Sequence, residues 1–205
     1  MGIFNKEGNS RQLGRGGGRR KERSGSEHGI SRLTVTRLPG QPPPRRTAAG
    51  RLQAGPFALP CAIGQGGISH NKREGDHATP AGAFRLLCGF YRPDRGARPS
   101  WRLPSRALKP VDGWCDDPEN ACYNRRVALP FRARHEKLWR EDHLYDLVIV
   151  LDHNIRPRSK YRGSAIFLHC ARRDFAPTEG CIALSHGDLG RLLPRLARRA
   201  VLTVR

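Results

Sequence analysis

Apolar residues in this chain come in short runs with a two-residue period, separated by long polar stretches rich in glycine and proline, and that pattern predicts strands rather than helices. Leu33-Thr34-Val35-Thr36-Arg37-Leu38 alternates like a half-buried strand. Arg51 to Ala54 and Phe57 to Ile63 read as a hairpin around Gly55-Pro56. Gly64 to Ala83 is a long glycine-bearing loop, followed by a strand over Phe84 to Phe90. Tyr145 to Asp152 and Ser164 to His169 are the most apolar runs and predict buried strands, and Ala200 to Val204 predicts a closing one. One helix is expected. Ser185-His186-Gly187-Asp188 resembles a capping box, and Leu189, Leu192, Leu193 and Leu196 follow at helical spacing. Pro194 predicts that this helix is short or bent. Residues 91–143 are polar, with little periodicity, and are expected to lack regular structure. Many short strands, turn signals and one or two short helices predict a mainly β domain, an irregular sandwich or barrel.

A length of 205 residues suits one domain with a core able to stand without staples. Charge changes the picture more than length does. Lys and Arg total 38 against 18 Asp and Glu, a formal net charge of +20. Residues 1–50 hold 11 basic and 3 acidic residues, so 27 basic against 15 acidic positions remain and the folding part is itself basic by 12. Such a surface attracts polyanions: nucleic acid, an anionic membrane, or an anionic cell-wall polymer. Residues 1–31 are Gly, Arg, Ser and Lys with few apolar positions, so a disordered basic tail is expected there, with the folded domain over 32–205. No apolar h-region follows Met1 and no run approaches membrane-spanning length. Six cysteines are present, none at the two-residue spacing of a zinc knuckle or thioredoxin motif, so buried or free thiols are expected over disulfides.

The candidate chemistry lies near the C-terminus. The run Ala165-Ile166-Phe167-Leu168-His169 delivers a histidine at its end, and Thr178-Glu179-Gly180-Cys181-Ile182 delivers a cysteine twelve residues later. A thiol reacts as thiolate, and an imidazole is the natural base or ion-pair partner to make one. Amides around Gly180 and Cys181 could receive an oxyanion. The second imidazole nitrogen needs an acceptor, either Asp174 or a backbone carbonyl near Cys170. Glu179 would raise the thiol pKa if it faced it, and is expected to point away. The alternative is structural: a histidine ending a strand and a cysteine are both common in cores.

These residues resemble the L,D-transpeptidase (YkuD-type) catalytic domain family. The stretch from His169 to Ile182 is similar to its signature, a histidine ending a strand and then Ser/Thr-x-Gly-Cys-Ile/Val. Upstream, Thr79-Pro80-Ala81-Gly82-Ala83-Phe84 resembles the family's Thr-Pro-x-Gly-x-Phe, and the two motifs together span most of 57–205. The resemblance implies a β-rich fold of the L,D-transpeptidase catalytic type and a cysteine enzyme that forms a thioester on peptidoglycan stem peptides. The acyl group then passes to an amine, in peptidoglycan crosslinking and cell wall organisation. It implies Cys181 as nucleophile, His169 as base, Gly180 in the oxyanion turn, Thr178 as its support and the Cys170 carbonyl as the acceptor that orients His169. It implies no cofactor and no metal, a bacterial envelope location, and stem peptides rather than nucleic acid as partners; a monomer is expected. Two positions depart from the family pattern: Cys170 stands where Gly or Ser is usual, and Ala183 where an Arg is usual. That Arg would suit a substrate carboxylate, and Arg172 or Arg173 is expected to replace it.

Other readings remain open at the level of sequence. The acyl group could pass to water instead, making a peptidase or amidase, since both routes share the acyl-enzyme. A non-catalytic nucleic-acid binder would draw on Trp101, Trp114 and Trp139 among the arginines. A zinc site from His153, His169, Cys170 and Cys181 is disfavoured, because adjacent residues rarely ligate one metal. Asp112 to Asp117, Tyr123-Asn124-Arg125 and Asp152-His153-Asn154 are candidates to line the cleft.

Overall fold

The computed structural model describes residues 29–39 and 49–205. The expected tail over 1–31 falls outside the described residues up to position 28, and the first strand already begins at Ile30. In chain order the strands are β1 (Ile30–Arg37), β2 (Ala49–Ala54), β3 (Phe57–Ala62), β4 (Ile68–Ser69), β5 (Thr79–Pro80), β6 (Gly82–Tyr91) and β7 (Ser105–Ala107). They continue as β8 (Asp112–Cys115), β9 (Arg125–Ala128), β10 (His135–Lys137), β11 (Leu147–Leu151), β12 (Phe167–Cys170) and β13 (Ile182–Leu184). Helix α1 (His186–Leu192), a 3-10 turn (Leu193–Arg195) and β14 (Leu196–Val204) complete the chain.

Eight strands close on themselves in the order β11-β12-β13-β3-β2-β1-β14-β6, because β6 pairs with β14 through Gly82–Arg85 and with β11 through Leu86–Tyr91. Closure removes the sheet edges that would otherwise need protection. The alternating residues fill the inside: Leu33, Val35, Leu52, Leu86, Ile149, Leu168, Ile182 and Leu184 form one core, and Leu189, Leu192 and Leu193 of the C-terminal helical segment plug it. The Ser185 hydroxyl accepts the Asp188 N–H at 3.1 Å, which caps α1. Pro194 falls in the first turn of the 3-10 segment, where its missing N–H costs nothing.

The segment 91–143 is more ordered than its polarity suggests. Strand β7 joins β6, and β8, β9 and β10 form a separate three-stranded sheet. This small sheet covers part of the outer face of the barrel. Phe90, Val148, Val150 and Phe167 point outward from β6, β11 and β12 and pack with Leu108, Trp114 and Leu138 in a second core, which also contains Cys181. The segment reads as a loop in sequence because each strand has only three or four residues and its pairs are distant. Gly89 is required here, since a Cβ at this position would come within 2.5 Å of the Trp101 ring. No helix among the described residues is long and apolar enough to cross a membrane.

The loop between β3 and β6 is tied to the segment that leads into Cys181. Thr79 is fully buried, and its hydroxyl accepts the Gly64 N–H at 2.8 Å. Gly64 bridges to Thr178, Gln65 N–H donates to the Thr178 carbonyl at 2.9 Å, and Thr178 N–H donates to Ile63 at 3.0 Å. Thr79→Val keeps the side-chain shape and leaves a buried N–H without its acceptor. We expect a loss of about 1–3 kcal/mol, read as a lower midpoint in urea denaturation; an unchanged midpoint would show that this bond does not fasten the loop.

Candidate active site

Strands β12 and β13 run parallel, with Leu168 opposite Ile182, His169 opposite Ala183 and Cys170 opposite Leu184. Residues opposite one another in a parallel pair share a face, and neighbours along a strand alternate. Phe167, His169, Cys181 and Ala183 therefore face outward, while Leu168, Cys170, Ile182 and Leu184 face the barrel core. The spacing of twelve residues places imidazole and thiol on one face because the loop returns the chain so that Cys181 stands two residues before the partner of His169, a whole side-chain period.

His169 and Cys181 open onto a cleft of about 340 Å³, lined also by His77, Asp116, Glu136, Arg140, Tyr145, Arg172, Thr178 and Glu179. His169 Nδ1 donates to the Cys170 carbonyl at 2.8 Å. A carbonyl only accepts, so the proton sits on Nδ1 and Nε2 carries the free lone pair. Tyr145 packs edge-on against the imidazole, with centroids 5.2 Å apart. Burial drives the imidazole pKa down to about 4, with the Cys170 hydrogen bond opposing. At neutral pH His169 is an uncharged base.

Cys181 Sγ donates to the Ala165 carbonyl at 3.1 Å and accepts the Phe167 N–H at 3.3 Å. Ala165 has a φ of 51°, a left-handed conformation that is uncommon outside glycine. Burial holds the thiol well above its ordinary pKa, followed by the repulsion of Glu136; the Phe167 amide and Lys72 pull the other way. The resting pair is thus neutral thiol and neutral imidazole, not the ion pair that easy thiolate formation would need. Glu179 is exposed at the cleft rather than turned away from it, and it adds a smaller upward push on the thiol.

The turn before Cys181 is locked by Thr178. Its hydroxyl donates to the Cys181 carbonyl at 2.6 Å and accepts the Gly180 N–H at 3.2 Å. Gly180 has φ 135°, and a Cβ there would lie 2.9 Å from the Ala78 carbonyl. Any other residue would be strained in its backbone and would collide with the upstream Ala78-Thr79-Pro80 segment. The two sequence motifs are therefore in direct contact.

A family model described as YkuD, L,D-transpeptidase catalytic domain, matches residues 44–204. The chain belongs to this family. Among solved structures, an L,D-transpeptidase from Mycobacterium smegmatis is similar at 13% identity and a TM-score of 0.36, covering 84% of this chain and 58% of that one. L,D-transpeptidase 3 from Mycobacterium tuberculosis gives 12% and 0.37, covering 86% and 61%. The chain thus spans about three-fifths of the length of these structures. No curated protein matches the chain.

Placement of the other candidates is mixed. Arg172 lines the cleft, whereas Arg173 is exposed and is not among the lining residues. Asp174 accepts the Ala176 N–H at 3.0 Å and does not orient His169. The Cys170 thiol points into the core, where burial pushes it up to about 12. His169 and Cys170 face opposite sides of β12 and cannot share a zinc ion. Of the loop candidates, Asp116 reaches the cleft, while Trp114, Asn124 and Arg125 line a second cavity. Asp152 pairs with Arg85 at 2.9 Å, and His153 packs edge-on against Phe84.

Three cleft residues carried no signal in the sequence. Tyr145 precedes a strand, and Glu136 and Arg140 lie in the segment expected to lack structure. Tyr145 Oη donates to Glu136 Oε1 at 2.5 Å, and Arg140 lies 3.7 Å from the same oxygen. Burial raises the Glu136 carboxyl to about 7 against the opposing pull of Tyr145 and Arg140.

The raised carboxyl has a consequence for stability. The unfolded chain releases this proton near its ordinary value of 4.5 and the folded chain near 7, so the contribution to stability is full below 4.5 and is lost as pH rises through 7. Glu136→Gln removes the titration. In urea denaturation the variant should gain on the parent between these limits and exceed it by about 1–3 kcal/mol at pH 8. Parallel stability curves for the two proteins would contradict the assignment.

Proposed function

We propose that this protein is a cysteine acyltransferase acting on peptidoglycan stem peptides at the bacterial envelope, by way of a thioester on Cys181. The family assignment supports the substrate class. The observation that carries the chemistry is the register of β12 and β13, which aims a thiol and a Nδ1-anchored imidazole into one cleft.

In this reading the S–H turns from the Ala165 carbonyl toward His169 as substrate arrives. The proton passes to Nε2 as sulfur attacks the peptide carbonyl carbon, so a free thiolate need not accumulate in a buried site that disfavours it. The Gly180 N–H is occupied by Thr178, so the oxyanion is received at the Cys181 N–H. Collapse breaks the C–N bond, the leaving amine takes the proton from the imidazolium, and the acyl group stays on sulfur. An acceptor amine then attacks the thioester carbon and gives a proton to Nε2, which returns it to the departing sulfur.

The cleft itself supports an amine acceptor over water. Glu74, Asp116, Glu136 and Glu179 line it together with Arg140 and Arg172. Among the described residues Glu179 forms no ion pair, which leaves its carboxylate available to an ammonium group. Ala183 is 1% exposed, too small and too covered to bind a substrate carboxylate where the family pattern has Arg. Arg172, exposed in the same cleft, takes that part here.

The experiment is acylation by a carbapenem β-lactam and by a tetrapeptide stem, with the modified residue mapped by mass spectrometry. Label is expected on Cys181 alone, and Cys181→Ala should lose acylation and crosslinking altogether. Cys170→Ala should keep acylation within a few-fold, since its thiol faces the core and only its backbone carbonyl touches His169. Label on Cys170, or crosslinking by Cys181→Ala, would overturn the reading.

A further inference from the structure

The outer face that carries the cleft carries a second cavity at its other end. This open groove of about 470 Å³ falls within the roughly 300–1,000 Å³ usual for small-molecule sites. Leu87, Phe90, Val150, Ile155 and Trp114 supply apolar lining. The polar part has one sign of charge: Arg106, Arg125, Arg126 and Arg158 line the groove, with no Asp or Glu among the lining residues. Asp112 lies behind, 2.5 Å from Arg106 and 3.9 Å from Arg126, and answers those two in part. Arg125 and Arg158 form no ion pair among the described residues. Burial, and then repulsion from Arg125, hold Arg158 below the ordinary guanidinium range.

Hydrogen bonding marks the same place. Four buried side-chain polar atoms among the described residues have no partner, and three of them belong to this lining: Arg106 Nε, Arg158 Nε and Ser105 Oγ. A buried donor without an acceptor costs about 1–3 kcal/mol, so a cluster of three is unusual unless something supplies acceptors. An inorganic anion would answer the arginines and leave the apolar floor bare, whereas an uncharged apolar molecule would do the reverse. The basic segment 1–28 of the chain itself has the wrong charge for this groove.

We propose that the groove binds the acyl chain of an anionic amphiphile, with the chain on Phe90, Trp114 and Val150 and the headgroup on Arg106, Arg125, Arg126 and Arg158. The site is separate from the chemistry at Cys181. Trp114 forms the wall between them, packed edge-on against Phe167 at 5.2 Å, and its Nε1 donates to Asn124 at 3.0 Å. A lipid-borne ligand would hold the cleft at a membrane surface.

Titration calorimetry with monomeric dodecanoate, inorganic phosphate and decyl maltoside tests this on the full-length chain. Dodecanoate should bind one site saturably, and the other two roughly ten-fold more weakly or not at all. Two variants should each weaken dodecanoate about ten-fold: Arg125→Glu with Arg158→Glu, which reverses the headgroup site at the surface, and Cys88→Trp, which fills the groove. Arg198→Glu with Arg199→Glu makes the same charge change on exposed β14 positions and should leave binding unaltered. Phosphate binding as tightly as dodecanoate would make this a free-anion site, and equal binding of maltoside would make it an uncharged apolar patch; either would overturn the proposal. Equal weakening by the β14 pair would overturn it too, reducing the binding to general charge attraction.

Discussion

The parallel pairing of β12 with β13 is the constraint on which the site rests. These two strands of four and three residues fix which side chains face out, and a slip of one position would send His169 or Cys181 into the barrel core. Register is held from both sides. Leu168, Ile182 and Leu184 are fully buried inside the barrel, so any slip would expose apolar surface or bury an imidazole. The Thr178 hydroxyl fastens the turn, and Gly180 lets it lie against the Ala78 carbonyl. The upstream Ala78-Thr79-Pro80 segment is the surface against which the turn before Cys181 is pressed.

That arrangement sets the electrostatics. A thiol and an imidazole on the outer face would be solvated if the barrel stood alone. The small sheet of β8, β9 and β10, with Tyr145, covers them, and desolvation then favours the neutral form of each. Burial lowers the histidine and raises the cysteine, which keeps the base unprotonated at neutral pH but leaves the thiol unactivated. In the mechanism we propose, proton transfer coupled to attack reconciles these two shifts. Glu136 belongs to this layer, on β10, and its burial at the cleft raises its carboxyl, so one packing event tunes three titratable groups around one cleft.

The layer between barrel and small sheet also joins the cleft to the arginine-lined groove. Trp114, Phe167 and Tyr145 form a continuous aromatic wall, and Asn124 ties it to the backbone at Ala165, whose carbonyl holds the Cys181 thiol. A basic chain has reasons to approach an anionic surface anywhere. At this groove positive charge coincides with apolar lining and unpaired donors, which general basicity does not produce.

Much of this protein was legible in its sequence. Alternation marked β1, with one half-buried face, and continuous apolar runs marked β11 and β12, which are buried on both faces. Ser185 and Pro194 marked the start and early end of the helix through local backbone chemistry. His169 and Cys181 stood out as candidates by residue type and spacing, and the fold brings both to one cleft. Other features were decided only in three dimensions. The strands within 91–143 are too short to carry a period and exist because β8 pairs with β9 and β10 and packs on Phe167. Glu136, Tyr145 and Arg140 reach the cleft by that same packing, from positions whose local sequence says only loop or strand edge. Asp174, close to His169 along the chain, turned to its own loop, and the Cys170 carbonyl took its place. Residue types name the chemistry a chain can perform, whereas protonation states follow from burial and charge proximity, which tertiary contacts alone determine.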